Sequence, residues 1–381
     1  MIYFDQASTT AMTARALHEY ITVSEELFGN PQGNHSISRR ALYRLDDYRE
    51  RAAALLGCAP SEIFFTSGAT ESNNILILGA AKPNKIPACS AVEHKAVYSP
   101  TKARNGILVK VDELGRIDQD YFREILKANK DTLDVVSIMT VNNETGVIFP
   151  VDVFAGMVTK HAPGVVFHTD AVQAPQIMDL KKIVASVHAL SLSAHKFNGP
   201  KGTGLLYKDK TVKLVPTYLG GSQENEIRPG TQNLASIGAM VVALEDSIAN
   251  MAVTVDHLEQ LKSRFEHQLM HWLPQAKIQG LDALRSPAIT NVLLPGTISE
   301  EMLFLLDSEG LCASGGAACA SGALGSSHVI IAMGVEERLA KSALRFSFSG
   351  SNTFEEVDAS MDIIVKCYEK LVSRSTTQKQ Y

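Results

Sequence analysis

Short apolar runs, each ending in a polar turn, recur along the first two thirds of the chain. Residues 62–66, 86–90, 107–111, 133–141, 165–167 and 187–192 carry such runs and predict buried strands. Between them, other stretches predict helices. These are 37–57, rich in Arg and Glu and ending at Gly57; one opened by 67–74 and continuing through Ile75, Leu76 and Leu78; 118–127; and 151–161. This alternation predicts a mostly parallel sheet with helices on both faces, and a ligand at the carboxyl ends of its strands. A long helical pattern, about 234–273, is expected to cross from this unit into a smaller one. The last third reads as α+β, with strands at 289–294 and 344–348 and helices at 299–306 and 354–372. The polar tail from 373 is expected to fray.

The polar ends of the runs carry the candidate chemistry. The run 187–192 ends in Ser193-Ala194-His195-Lys196, and Gly199, Pro200, Gly202 and Gly204 follow closely. A lysine at the mouth of a buried strand loses hydration, its pKa falls and its amine becomes a nucleophile. The use this suggests is condensation with an aldehyde cofactor; the alternative is a surface lysine opening a turn. The run 165–167 leads into His168-Thr169-Asp170-Ala171-Val172-Gln173. A carboxylate at one strand end and a lysine at the next suit pyridoxal phosphate. The acid pairs with the protonated ring nitrogen and the lysine holds the aldehyde.

Residues 67–74 turn from strand into helix, where free amides and the helix dipole favour a phosphate. Gly68 and Ala69 are small enough to let it approach the backbone. His94 stands at another strand–helix junction, where an imidazole can stack on a pyridine ring and move protons, or serve the fold alone. Asn142 and Asn143 follow the run 133–141 and can hydrogen-bond a cofactor's phenolic oxygen. Residues 28–35 are a turn-rich loop. Arg345 lies among apolar neighbours and needs an anionic partner. That partner is either a substrate carboxylate gripped in bidentate fashion or a buried structural ion pair. Of residues 313–327, all but Cys319 and Leu324 are Gly, Ala or Ser. Such a stretch cannot bury enough surface to order itself, which predicts a mobile loop carrying one thiol. A chance cysteine in a flexible linker is the alternative. Cys312, after Leu311, reads as a buried strand thiol.

Composition narrows the classes. With 381 residues, 45% of them hydrophobic, the chain suits roughly two domains. A net charge of −5, with Lys and Arg scattered, gives no footprint for direct nucleic-acid binding. No apolar run approaches the ~20 residues of a membrane span. The first residues lack a basic region and a signal core, and the five cysteines contain no Cys-x-x-Cys pair. A reducing cytoplasm with free thiols is the expected setting. No metal site is expected.

With its His195-Lys196-x-x-Gly-Pro-Lys-Gly-x-Gly block, the chain resembles the class V aminotransferases, and within them the long-loop cysteine desulfurases. The resemblance extends to Tyr3-x-Asp5-x-x-x-Thr9-Thr10, Ser67-Gly68-Ala69-Thr70-Glu71-Ser72, Glu93-His94-x-x-Val97 and the cysteine loop. That loop reads Gly315-Gly316-Ala317-Ala318-Cys319-Ala320-Ser321, with small residues replacing two hydroxyls of the family pattern. The resemblance implies the α/β fold type I of pyridoxal-phosphate enzymes. A large cofactor-binding domain would span 13–255. A small domain would span 1–12 and 256–381, with the N-terminal arm and a cysteine loop at about 313–327.

It further implies that Ala69, Thr70 and, from a neighbouring subunit, Thr231 hold the phosphate. Asn143 would bond the phenolic oxygen, and His94, Asp170, Gln173, Ser193, His195 and Lys196 would complete the cofactor site. Asn30 becomes a candidate for the substrate carboxylate beside Arg345, although a plain loop is the alternative there. Lys196, His94 and Cys319 would be catalytic. Expected partners are L-cysteine, a second copy sharing active sites, and a sulfur-acceptor protein. The sulfur would serve iron–sulfur clusters, tRNA or another thio-cofactor. The competing readings are a transaminase or selenocysteine lyase on the same scaffold, and a non-catalytic sulfur-transfer scaffold.

Overall fold

The structure, a computed structural model, describes residues 1–315 and 326–377. At its centre lies a seven-stranded sheet. In spatial order it runs Ile63–Thr66, Gly204–Lys208, Ala189–Ser193, Val166–Asp170, Leu133–Ser137, Ile86–Ser90, Ile107–Val109. Gly204–Lys208 is antiparallel to both neighbours; the other strands all point one way. Every residue of Ile63–Thr66, Leu133–Ser137 and Ala189–Ser193 is buried. Helices cover both faces, which is why these strands read as continuous apolar runs without alternation. The fold is the α/β architecture expected from the sequence.

The helices begin and end where local chemistry dictates. Ser36–Leu56 starts at His35, whose Nδ1 accepts the Ser38 amide, and stops at Gly57 in the left-handed region, φ 72°. Its buried Ala41, Leu45, Tyr48, Ala52 and Leu56 recur at helical spacing and join the large hydrophobic cluster around the sheet.

A second cluster forms around a four-stranded antiparallel sheet of Ser314–Gly315, Ala343–Ser347, Ile289–Leu293 and Lys277–Ile278. Phe4 of the N-terminal arm is fully buried in it, edge-on to Phe348 at 4.8 Å. Burying that one side chain is worth about 2–3 kcal/mol, and it fixes the arm beside Leu311–Cys312, with which Ile2–Tyr3 pairs. Val329, Ile330, Met333, Ala340 and Ala343 pack into the large cluster instead.

Several boundaries differ from those the sequence predicts; the strand expected over 107–111, for one, ends at Val109. The single helix expected over 234–273 is two, Leu234–Ala249 and Met251–Trp272, bent by 70°. The Asn250 amide side chain donates to the Asp246 carbonyl at 2.8 Å, competing with the helical ladder. The strand expected over 133–141 ends at Ser137, because the Met139 amide turns to the Glu93 carboxyl instead of a strand. The last helix, Phe354–Thr377, runs beyond the point at which fraying was expected. Cys312 sits on a strand as predicted but is only half-buried. Of the expected cysteine loop, residues 316–325 with Cys319 lie outside the described residues. No single helix among the described residues is long and apolar enough to cross a membrane.

Candidate active site

The parallel strands deliver their polar ends to one edge of the sheet. Strand Ala189–Ser193 runs into a single turn, Ala194–Lys196. The turn closes with the Phe197 and Gly199 amides donating to the Ala194 carbonyl. A Cβ on Gly199 would lie 2.8 Å from that of Ala194, so only glycine fits. Lys196 Nζ donates to the carbonyls of Ala7 at 2.6 Å and Ser8 at 2.7 Å. Gln173 Nε2 reaches the same Ala7 carbonyl at 3.0 Å. The His195 ring meets Thr9 Oγ1 at 3.2 Å, and its carbonyl accepts from Thr10. Burial brings the His195 ring down to about 4, so it is neutral. The N-terminal arm therefore lies across the lysine turn, and Lys196 and Gln173 line a cleft with Ala7 and Phe348.

Asp170 ends the neighbouring strand. Its Oδ2 accepts from Asn73 Nδ2 at 2.7 Å and its Oδ1 from the Val172 amide at 3.1 Å. Two donors orient this nearly buried side chain. Asn73 belongs to the helix Ala69–Gly79, which starts at Gly68 with no side-chain cap. Its first-turn amides, those of Ala69 and Thr70 included, have no intrahelical partner. Across the sheet Gly204 pairs with both Ser193 and Thr66. A Cβ on Gly204 would stand 2.5 Å from Gly68 Cα, which shows how tightly this turn is pressed onto the strand. The nearly buried Ser193 places its Oγ 3.5 Å from where a Gly68 Cβ would stand. Glu71 draws Arg228 to the same helix start at 3.2 Å.

His94 caps the helix Lys95–Ala103, its Nδ1 accepting the Ala96 amide at 3.1 Å. Burial lowers its pKa, the charges of Lys196 and Arg345 lower it further, and Asp170 opposes them. The neutral ring then carries its proton on Nε2. Glu93 beside it is fully buried and pushed up to about 8 by burial. Its Oε1 accepts from Ser90 Oγ and the Met139 amide, each at 2.8 Å.

Asn142 spends its side chain on the turn, accepting from the Glu144 and Thr145 amides. Asn143 gives its carbonyl to Arg345 Nη1 at 2.8 Å, and its side chain makes no hydrogen bond among the described residues. Arg345, 5% exposed, also pairs with Asp5 at 2.8 Å and Ser8 at 2.5 Å. Asp5 is thus an ion-pair partner of Arg345 within the chain.

The remaining expected residues stand apart. Asn30 is exposed and turns its Oδ1 to the Gln32 amide. Thr231 is exposed on the surface. Cys319 lies outside the described residues, but Gly315, four residues before it, pairs with Leu344 next to Arg345. Sequence reasoning missed Asn73, Glu93, Glu144 and the partnership of Asp5 with Arg345. Asn73 left a signal in standing four residues after Ala69 and so on the same face of the helix, and Glu93 and Asp5 lie inside the motifs Glu93-His94-x-x-Val97 and Tyr3-x-Asp5. Among the described residues no cluster of His, Cys, Asp and Glu is placed to hold a metal ion.

An uncapped helix start for a phosphate, an aligned carboxylate for a basic ring nitrogen and an amine for an aldehyde fit pyridoxal phosphate. Comparison with known proteins agrees. Residues 2–359 match the family model described as aminotransferase class-V. The chain is 37% identical over 380 residues to a cysteine desulfurase of Sinorhizobium fredii, covering 97% of each. A solved NifS-like protein superposes with a TM-score of 0.89 at 33% identity, covering 97% of this chain and all of that one. The structure described as SspA in complex with cysteine gives 0.79 at 28% identity, covering 93% of this chain and 100% of its own. The chain is thus a member of the class-V aminotransferase family, in its cysteine desulfurase group, and a pyridoxal-phosphate-dependent enzyme.

Proposed function

We propose that the protein takes sulfur from L-cysteine, leaves L-alanine, and passes the sulfur to an acceptor protein as a persulfide on Cys319. The observation that carries this reading is the placement of Lys196 and Asp170 at the ends of adjacent parallel strands. Asn73 ties Asp170 to the helix whose start is open to a phosphate. Bound there, pyridoxal phosphate supplies an aldehyde that captures the substrate amine and a protonated ring that draws off electrons when a Cα bond breaks.

The chain's own residues supply the rest. Ala69 and Thr70 would hold the phosphate on their amides, and Thr231 would reach it from a second copy. Asp170 would keep the ring nitrogen protonated, with Asn143, Gln173, Ser193 and His195 around the cofactor. Lys196 moves the proton at the substrate Cα. His94, neutral with its proton on Nε2, acts there as a donor. Arg345 would take the substrate carboxylate on guanidinium hydrogens that Asp5, Ser8 and Asn143 do not use, with Asn30 as a further ligand. The Cys319 thiolate attacks the substrate Sγ. An S–S bond forms, the Cβ–Sγ bond breaks with its electron pair staying on carbon, and a proton there completes alanine. The chain from Gly315 to Cys319 spans at most about 14 Å, which starts the thiol's tether beside Arg345.

The cysteine held by the related SspA structure supports the choice of substrate. The two hydrophobic clusters support a large domain over 13–255 and a small one over 1–12 and 256–381, with 329–343 packing back on the large one. A shared-site homodimer acting in the cytoplasm completes the proposal, its sulfur directed to iron–sulfur clusters or tRNA. The test is to incubate the purified protein with L-cysteine and a reductant. Equal yields of sulfide and alanine are expected. Keto-acid-dependent amino exchange without sulfide would show a transaminase, a marked preference for selenocysteine would show a lyase, and no turnover a scaffold.

A further inference from the structure

Two buried acidic residues, Glu93 and Glu144, take no part in the chemistry above. Both touch the same short stretch of chain. Ser327 and His328 follow Cys319 by eight and nine residues in the sequence. Ser327 Oγ donates to Glu144 Oε2 at 2.5 Å. The same hydroxyl accepts from the Val329 and Ile330 amides at 3.1 and 3.3 Å, capping the helix His328–Ala332. His328 Nε2 donates to the Glu93 carbonyl at 2.9 Å, and its ring packs on Tyr98 at 4.9 Å. Glu144 is 7% exposed and Ser327 4% exposed, so this contact is built into the interior. Burying a carboxyl is costly unless its hydrogen bonds are satisfied, and Ser327 is the partner that Glu144 has been given. Glu144 follows Asn143 directly, and the Asn143 carbonyl holds Arg345. Ser327, on one side of the segment that contains Cys319, is therefore fastened to the same turn that fastens Arg345. At its other end, Ser314–Gly315 is laddered to Arg345 and Leu344.

We propose that Glu144 is a positioning residue for sulfur transfer: by holding Ser327, eight residues after Cys319, it fixes one anchor of the chain that carries the thiol, relative to the substrate held near Arg345. The His328–Glu93 contact is a second fastening of the same root. The proposal rests on the reading that Cys319 receives the sulfur. Glu144 acts through Ser327 and not on the substrate, so its loss affects the thiol's attack and spares the Cα proton step, which Lys196 carries out from another part of the fold.

The test uses the cofactor-loaded enzyme, with Glu144→Ala and Glu144→Gln beside the unmodified protein. Exchange of the substrate Cα hydrogen for solvent deuterium reads the proton step. Alkylation and mass spectrometry in a single turnover read the persulfide on Cys319. Hydrogen–deuterium exchange at the Val329 and Ile330 amides reads the root itself without substrate. In Glu144→Ala, Cα exchange stays within about twofold, persulfide formation slows roughly ten- to a hundredfold, and both amides exchange faster. Glu144→Gln, which keeps an oxygen for Ser327, recovers most of the persulfide rate. An unchanged persulfide rate in Glu144→Ala, or Cα exchange falling in step with it, overturns the proposal. Should Glu144→Ala fail to fold, Ser327→Ala removes the same hydrogen bond from its other side and His328→Phe severs the second fastening, and a native persulfide rate in both overturns the proposal as well. Absence of persulfide on Cys319 in the unmodified protein instead overturns the parent reading.

Discussion

Glu93 shows what a single buried side chain does to this fold. Its Oε1 takes two donors while its Oε2 is buried without a partner among the described residues. Burial pushes its pKa up to about 8, and the charge on Asp170 adds to the rise. In the unfolded chain the group loses its proton near 4.5. A folded pKa raised above the unfolded one gives stability that is complete below the unfolded value and is lost as pH rises through the folded value. Glu93→Gln removes that loss and keeps the oxygen that Ser90 and Met139 use. The variant's stability relative to the unmodified protein therefore rises from acid to neutral pH, by about 1.4 kcal/mol per pH unit between the two pKa values. Urea unfolding at about pH 5 and about pH 7.5 checks this, and parallel curves for the two proteins would refute it. Lys196 and Asp170 could be read from the sequence because each closes an apolar run with a charge. Glu144 and Asp5 could not, since their partners lie far away in sequence, 183 residues for Ser327 and Glu144 and 340 for Asp5 and Arg345; of the two donors to Glu93, Ser90 is three residues away and Met139 is 46.

Among the elements, the strand Gly204–Lys208 does the most to shape the site. It runs against the direction of its neighbours and lies between the lysine strand and the strand leading to the helix Ala69–Gly79. Its first residue must lack a side chain, because a Cβ there would stand 2.5 Å from Gly68 Cα and 2.5 Å from the Leu192 carbonyl oxygen. Both are backbone atoms, so neither can swing aside. Gly204→Ala is expected to cost about 1–3 kcal/mol of stability and to weaken cofactor retention, read as loss of visible absorbance on dialysis. Unaltered stability and absorbance would contradict the close packing. Most strands and helices were legible from runs and caps. This strand was not among them, since its apolar run Leu205-Leu206-Tyr207 is short and follows directly on the glycine turn, and a buried strand has the same apolar run whichever way it points. The bend at Asn250 was hidden for a related reason. The apolar pattern passes through it, and only a side chain bonding back to Asp246 marks the break.

Over the whole molecule, the N-terminal arm joins the parts that do the chemistry. Phe4 is embedded in the second hydrophobic cluster, Asp5 holds Arg345, and the Ala7 and Ser8 carbonyls hold Lys196. The first ten residues thus tie the arginine of one sheet to the lysine of the other. The sequence marked this arm by its resemblance to the family's opening motif, but not which residues it grips. In the proposed reading Cys319 turns this site from general amino-acid chemistry to sulfur transfer, so its fate decides the account. The most direct measurement is to treat the enzyme with L-cysteine, alkylate it, and locate the added sulfur by peptide mass spectrometry, with Cys319→Ser alongside. The account predicts one extra sulfur on the Cys319 peptide and loss of sulfide release in the variant. Sulfur found on another cysteine, or native sulfide release from Cys319→Ser, would contradict it.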